Sequence, residues 1–116
     1  MLKSADELIR EAQQRIECVD IATARKIYDE NPDAVIIDVR EADSAAKSKL
    51  AESVHISRGL LEMMVHKTCP ESDTVILTHC GGGGRASLAA HTLGNMGYRK
   101  VYAITAPYDD IKKAFG

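Results

Sequence analysis

Residues 76–87 read Ile-Leu-Thr-His-Cys-Gly-Gly-Gly-Gly-Arg-Ala-Ser and join an apolar run, a cysteine, a glycine loop and the start of a helical pattern. An apolar run followed by a glycine-rich turn and a helix is typical of the strand-to-helix connections in layered α/β domains. We interpret the stretch as a buried strand that ends beside Cys80 and a loop that leads into a helix beginning near Arg85. It therefore favours an α/β fold with a site at the end of a strand.

The glycine run after Cys80 indicates a loop whose N–H groups surround the sulfur atom. Glycine packs no side chain and loses much conformational entropy on folding, so a run of glycines needs a local reason. The residues of the run are Gly81, Gly82, Gly83 and Gly84. The helix dipole and free N–H donors stabilise a thiolate at a helix N-terminus, and Arg85 adds a positive charge. We therefore predict that Cys80 is a nucleophile rather than a buried structural cysteine before a tight turn.

The rest of the chain alternates short apolar runs with helical patterns. Ser4 and Glu7 form a capping box for an amphipathic helix over residues 5–16, and Asp20 is placed to cap a second helix. Strands are predicted at 34–37, 54–56, 74–78 and 100–104, and further helices around 60–64, over 85–96 and near 108–114. Such alternation predicts a parallel sheet covered by helices, with Asp38 and Cys80 at the carboxyl ends of strands.

Length, charge and cysteine content exclude several classes of protein. A chain of 116 residues suits one domain, and we divide it into an N-terminal helical extension, 1–18, and a domain, 19–116. The net charge of −2 argues against a nucleic-acid partner. No apolar run approaches the roughly 20 residues of a membrane span, so we expect a cytoplasmic protein without a membrane partner. Neither a disulfide framework nor a metal site is expected from the Cys and His spacings.

The motifs resemble those of the rhodanese family over roughly residues 19–116. The most specific similarities are residues 80–87 and residues 36–41, Ile-Ile-Asp-Val-Arg-Glu, with weaker ones at 58–62 and 96–102. The resemblance implies a three-layer α/β domain with a central, parallel, five-stranded sheet flanked by helices, to which this chain adds an N-terminal helix. It also implies that Cys80 carries sulfane sulfur as a persulfide, that Gly81 to Arg85 form the active-site loop, and that no cofactor is needed.

The loop length points to one of the two chemistries that the family supports. Four residues separate Cys80 from Arg85, as in the family's sulfurtransferases, whereas its phosphatase relatives have five. We therefore expect transfer of sulfane sulfur from thiosulfate or a low-molecular-weight persulfide to a thiol, which a protein can provide, or to cyanide. The alternative is a persulfide carrier without turnover, or a docking module for a sulfur-handling protein. Arsenate or quinone redox chemistry would need a resolving thiol.

Other charged residues and thiols have weaker predicted roles. Asp38 and Arg40 either tune the site or form a structural ion pair, and Arg58 either lies near the mouth or is solvated. His79 is a poor partner for Cys80, because successive strand residues point to opposite faces. We expect Cys69 to lie near 20 Å from Cys80, since strand residues rise about 3.3 Å each. Cys18 is predicted to pack under the first helix.

Two segments depart from the family pattern. Residues 48–53 replace a Gly-His-Ile-Pro-Gly-Ala stretch, which predicts local rearrangement at the sheet edge. After the last strand, Ala106, Pro107 and Ile111 stand where the family often has two glycines and a tryptophan. Since that loop lies beside the site in the family, we expect Pro107 and Tyr108 to affect access of the sulfur donor.

Overall fold

A five-stranded sheet with all of its strands parallel forms the centre of the computed structural model, which describes residues 1–116. The strands are β1 (Glu17–Val19), β2 (Val35–Asp38), β3 (Ser53–His55), β4 (Val75–His79) and β5 (Lys100–Ile104). Their order in the sheet is β1-β5-β4-β2-β3. The predicted α/β class and central parallel sheet are confirmed.

Helices cover both faces of this sheet. They are α1 (Ala5–Gln13), α2 (Ile21–Glu30), α3 (Ala42–Lys47), α4 (Leu61–Thr68), α5 (Gly84–Met96) and α6 (Tyr108–Phe115), with a 3₁₀ turn at Arg58–Leu60. One buried cluster joins the sheet to α4 and α5, and a second joins it to α2 and α6. None of the helices combines the length and apolar character needed to cross a membrane.

The central strands β2 and β4 are apolar on both sides because both of their faces are covered. Ile37 and Ile76 lie in the cluster under α4 and α5, whereas Ile36 and Leu77 lie in the cluster under α2 and α6. Each such side chain contributes roughly 1.5–3 kcal/mol when it is fully buried. Burial on both faces fixes the strands that end at the site.

Helix α5 packs closely on the sheet because its inner face carries small side chains. Ala86, Ala89 and Ala90 are buried there, and the Thr78 hydroxyl of β4 donates to the Ala86 carbonyl at 2.8 Å. Gly97 ends the helix with φ 109°, a left-handed conformation that suits glycine. These contacts place the N-terminus of α5 over the end of β4.

The structure differs from the sequence prediction at the N-terminus and after β2. Helix α1 ends at Gln13 rather than at residue 16, and β1 pairs with β5 from residue 17. This short strand had no local signal, because it exists through pairing with a distant strand. It crosses the predicted boundary between 1–18 and 19–116, so the sheet continues into the extension. Helix α3 was also missed, since it is short and has no side-chain cap.

Candidate active site

The Cys80 sulfur lies at the carboxyl end of β4, under the first turn of α5. The backbone N–H of Gly83 donates to Sγ at 3.1 Å, and that of Ala86 donates to Sγ at 3.3 Å. The side chain is buried, with 2% of its surface exposed. Both N–H groups belong to the loop and the helix N-terminus, where backbone donors have no intrahelical acceptor. The geometry stabilises negative charge on this sulfur.

Gly83 is the glycine of the loop that the backbone itself requires. Its φ is 97°, and a Cβ atom at this position would lie 2.9 Å from the carbonyl oxygen of Thr105. A Cβ on Gly82, in contrast, would meet no atom within 4 Å, and one on Gly81 would meet only Arg85, at 3.9 Å. A glycine is therefore required at position 83, where the backbone turns its N–H towards the Cys80 sulfur. Gly81 and Gly82 are not required by the backbone in this way, and they leave the mouth of the loop without side chains.

Further N–H groups of the loop are free to bind a ligand. None of them donates to a backbone carbonyl or to the Cys80 sulfur. They belong to Gly81, Gly82, Gly84 and Arg85. Successive N–H groups in such a loop form an anion-binding concavity. The loop thus retains donors beyond those that hold Sγ.

Arg85 lies at the rim of the loop and faces an acidic side chain. Its Nη1 atom is 3.8 Å from Oε1 of Glu41, with 43% of the arginine side chain and 64% of the glutamate side chain exposed. Glu41 was within the motif 36–41, but the sequence did not place it beside Arg85. The positive charge at the mouth is therefore partly offset.

Asp38 and Arg40 form a buried ion pair behind the loop. Arg40 Nε donates to Oδ1 of Asp38 at 3.0 Å, and Nη2 donates to Oδ2 at 2.8 Å. Although burial opposes it, the hydrogen bonds from Arg40 lower the pKa of the Asp38 carboxyl. Arg40 Nη2 also donates to the carbonyl of Ser48 at 2.6 Å, and the guanidinium lies 3.9 Å from the ring centre of Tyr108. The pair fastens the residues behind the loop to one another.

Tyr108 joins this ion pair to the loop, and the sequence indicated only its place near the mouth. Its backbone N–H donates to the Gly81 carbonyl at 3.0 Å, and its hydroxyl lies 2.7 Å from the Ser48 hydroxyl. Pro107 is the N-cap of α6, which begins at Tyr108, and Ile111 is buried in the core. The segment that departs from the family pattern therefore clamps the first residue after Cys80.

Arg58 does not join the group around the sulfur. Its Nη1 donates to Glu62 at 3.0 Å, and its Nη2 donates to the Thr92 hydroxyl at 2.8 Å. These bonds tie the 3₁₀ turn to the middle of α5. The structure thus brings Cys80, the loop, Arg85 and the Asp38–Arg40 pair together and places Arg58 to one side.

His79 lies on the opposite side of the sheet from Cys80. It is fully buried, neither ring nitrogen has a hydrogen-bond partner, and its ring stacks on Tyr108 at 5.9 Å. Burial lowers the pKa of this imidazole, although the charge of Asp38 opposes the shift and that of Arg40 reinforces it. His79 is therefore a neutral core residue.

The other two cysteines differ in exposure. Cys69 is buried and Cys18 is exposed. Desolvation raises the pKa of both thiols, and the nearby Ser87 hydroxyl partly offsets the shift of Cys18. The prediction that Cys18 packs under the first helix is wrong, because its side chain is exposed to solvent.

Gly83→Ala is expected to destabilise the protein and slow alkylation of Cys80. A left-handed φ costs a residue with a side chain roughly 1–2 kcal/mol, and the contact with Thr105 adds to that cost. Urea unfolding and mass spectrometry of the alkylated Cys80 peptide measure the two effects. Gly82→Ala is the control and should unfold within about 0.5 kcal/mol of wild type. Equal effects of the two substitutions would contradict the assignment.

His79→Phe is expected to flatten the dependence of stability on pH. The folded-state pKa of His79 lies below its ordinary value of 6.5, so the unfolded chain takes up a proton first as the pH falls. The contribution of His79 to the free energy of unfolding is therefore complete above about pH 6.5. Below that pH it falls by up to about 1.4 kcal/mol for each pH unit. The lowered pKa of Asp38 affects stability only below pH 3.8, outside the range measured for His79.

Urea unfolding between pH about 7.5 and 5 measures this slope. The exposed His66, replaced by Gln, is the control and should leave the slope unchanged. A slope as steep in His79→Phe as in wild type would show that His79 is not the group responsible.

Comparison with known proteins identifies the family. The family model described as the rhodanese-like domain matches residues 20–114 of this chain. A thiosulfate sulfurtransferase GlpE of Coxiella burnetii (strain RSA 331 / Henzerling II) is 28% identical over 80 residues, which covers 69% of this chain and 73% of the relative.

Solved structures show the same fold. A Rhodopseudomonas palustris CGA009 protein, described as of unknown function and a possible tyrosine phosphatase, matches with a TM-score of 0.86 and 26% identity over 100% of this chain and 94% of its own. The polysulfide-sulfur transferase homodimer of Wolinella succinogenes matches with a TM-score of 0.71 and 25% identity over 88% and 77%. Because the family model spans most of the sequence, this chain belongs to the rhodanese-like domain family.

Proposed function

We propose that the protein is a sulfurtransferase that carries sulfane sulfur as a persulfide on Cys80. The observation that carries the proposal is the Cys80 sulfur held by two backbone N–H groups, from Gly83 and Ala86, at the N-terminus of α5. Family membership and the similarity to a thiosulfate sulfurtransferase support the same chemistry. The thiolate is the nucleophilic form of cysteine, so its stabilisation is the first requirement.

In the first step, the Cys80 thiolate attacks the outer sulfur of thiosulfate or of a low-molecular-weight persulfide. A new S–S bond forms on Sγ as the S–S bond of the donor breaks, and its electron pair leaves with sulfite or with a thiolate. The outer sulfur keeps its own negative charge and becomes the terminal sulfur of the Cys80 persulfide, while the charge of the Cys80 thiolate departs with the leaving group. No oxidant or cofactor enters the balance.

The loop stabilises the negative charge on the terminal sulfur of the Cys80 persulfide. The unengaged N–H groups of Gly81, Gly82, Gly84 and Arg85 are the donors for the terminal sulfur. Fixed backbone donors stabilise such charge without reorganising during the reaction, as in an oxyanion hole. In the second step, an acceptor thiolate or cyanide attacks the terminal sulfur, and Cys80 returns to the thiolate.

Asp38 and Arg40 act as positioning residues in this scheme. Their ion pair contacts Tyr108, and the Tyr108 backbone holds the Gly81 carbonyl. Arg58 affects the loop less directly, because its hydrogen bond to Thr92 fixes the 3₁₀ turn against α5. None of these side chains is assigned a proton transfer or a contact with the transferred sulfur.

The loop argues against phosphate ester hydrolysis, which the description of the Rhodopseudomonas palustris protein raises. Four residues lie between Cys80 and Arg85, and none of them is an acid that would protonate a leaving alcohol. A carrier or docking module shares the Cys80 geometry with a sulfurtransferase. Catalytic turnover with small donors distinguishes the enzyme from the carrier.

The Glu41 carboxylate partly offsets the positive charge of Arg85, and this favours sulfur donors of low negative charge. Thiosulfate is a dianion, and the Glu41 carboxylate lies 3.8 Å from the guanidinium that faces it. The reacting persulfide group itself carries one negative charge at most and is less repelled. We therefore propose persulfides, small or protein-bound, as better donors than thiosulfate.

Intact mass after thiosulfate treatment tests the proposed function. We expect wild-type protein to gain one sulfur atom and to lose it with cyanide, because the added sulfur is a sulfane sulfur. Cys80→Ser should gain none, whereas Cys69→Ser should behave as wild type. If thiosulfate fails, the same test with glutathione persulfide keeps the assignment open to refutation. No gain with either donor, or hydrolysis of p-nitrophenyl phosphate that depends on Cys80, would overturn it.

Glu41→Gln is expected to raise kcat/KM for thiosulfate about two- to fivefold, which corresponds to a solvent-exposed charge pair. The increase should shrink at high salt, because the pair is exposed and screened. Steady-state kinetics at two ionic strengths measure both effects. Glu62→Gln, which removes an exposed carboxylate that pairs with Arg58, is the control. An unchanged or lower kcat/KM in Glu41→Gln would refute the role of Glu41 in donor preference.

A further inference from the structure

We propose that helix α1 supports the Cys80 loop and that its residues Ile9 and Gln13 are positioning residues for sulfur transfer. The inference rests on the proposed function for its effect on catalysis. Its structural content is separate, because it concerns contacts between α1 and the loop. Two independent contacts carry it.

The first contact is a relay of hydrogen bonds from Gln13 to the sulfur. Gln13 Nε2 donates to the Ser87 hydroxyl at 3.1 Å, and that hydroxyl donates to the Gly83 carbonyl at 2.7 Å. The N–H of the same Gly83 donates to the Cys80 Sγ at 3.1 Å. Gln13 is exposed but Ser87 is fully buried, so the hydrogen bond from Ser87 to Gly83 has little competition from water. The relay therefore fixes both polar groups of the glycine that holds Sγ.

The second contact is apolar and lies at the last glycine of the loop. A Cβ atom on Gly84 would lie 2.9 Å from Cδ1 of Ile9. The Ile9 side chain thus occupies the space that a side chain at position 84 would fill. Gly84 opens α5, and its N–H is one of the free donors of the loop. Ile9 therefore packs directly on the segment that binds the transferred sulfur.

Helix α1 is built to be a firm support. Ser4 and Glu7 form a capping box, with Glu7 N–H donating to Ser4 Oγ at 3.1 Å and Ser4 N–H donating to Glu7 Oε1 at 3.2 Å. Ala12 is buried, and α1 packs along α5. Both the Gln13 hydrogen bond and the Ile9 contact fall on the first turn of α5, which is the part of that helix that closes the Cys80 loop.

Leu8 in α1 and Gln14, the C-cap of α1, offer matched controls. We compare Gln13→Ala with Gln14→Ala, since Gln14 is exposed and its side chain makes no hydrogen bond, and Ile9→Ala with Leu8→Ala, since Leu8 is 45% exposed. The readout is the iodoacetamide rate of Cys80, followed by peptide mass spectrometry across a pH series and well below each unfolding temperature. We expect Gln13→Ala to slow it about two- to tenfold, the range for loss of one hydrogen bond, and Ile9→Ala to slow it through lost packing on Gly84; both should move the pH profile. The controls should match wild type.

A coupling test covers the case in which a single variant is poorly folded. Gly84→Ala adds a methyl group that meets the end of the Ile9 side chain and pushes it away from the loop, so we expect it to slow Cys80 alkylation in the wild-type background. With Ile9→Ala the methyl group has space, and Gly84→Ala should then have a smaller effect. The same effect in both backgrounds, or an effect of Gln14→Ala and Leu8→Ala as large as that of their neighbours, would overturn the proposal.

The result is independent of the proposed function, because alkylation needs no sulfur donor. If wild-type protein takes up no sulfur but alkylation depends on Ile9 and Gln13, the proposed function fails and the loop support stands. If Cys80 takes up sulfur at the same rate and is alkylated at the same rate in every variant, the loop support fails and the proposed function stands.

Discussion

The two N–H groups that point at the Cys80 sulfur are the interaction on which the site depends. They exist because β4 ends one residue before Cys80 and α5 begins four residues after it. That arrangement needs a left-handed Gly83 packed on Thr105, small residues under α5, and a strand buried on both faces. The core of the domain thus holds a loop in a conformation that a free peptide would not keep.

Residues from three helices contact this loop. Tyr108 of α6 holds the Gly81 carbonyl, Ser87 of α5 holds the Gly83 carbonyl, and Ile9 of α1 packs on Gly84. The loop carries no side chains of its own before Arg85, so its rigidity comes from its neighbours. The segment that replaces the glycines and tryptophan of the family pattern contributes one of these contacts.

The sequence predicted the parts of the fold that have local signals. Strands β2, β4 and β5 are continuous apolar runs, α5 follows the glycine loop, and the caps at Ser4 and Asp20 are found as expected. Strand β1 has no such signal, because its three residues are ordered by pairing with β5. For the same reason the contacts of Glu41, Gln13 and Tyr108 with the site were not foreseen: each depends on tertiary packing rather than on sequence spacing.

Amide chemical shifts, followed by ¹⁵N–¹H NMR through a pH titration, test the central claim most directly. If the N–H groups of Gly83 and Ala86 hold the charged sulfur, their signals move together with one midpoint as Cys80 ionises, and this shift is absent in Cys80→Ser. Loading with sulfane sulfur then moves the signals of Gly81, Gly82, Gly84 and Arg85. Signals of Gly83 and Ala86 that do not respond, or that respond equally in Cys80→Ser, would contradict the account.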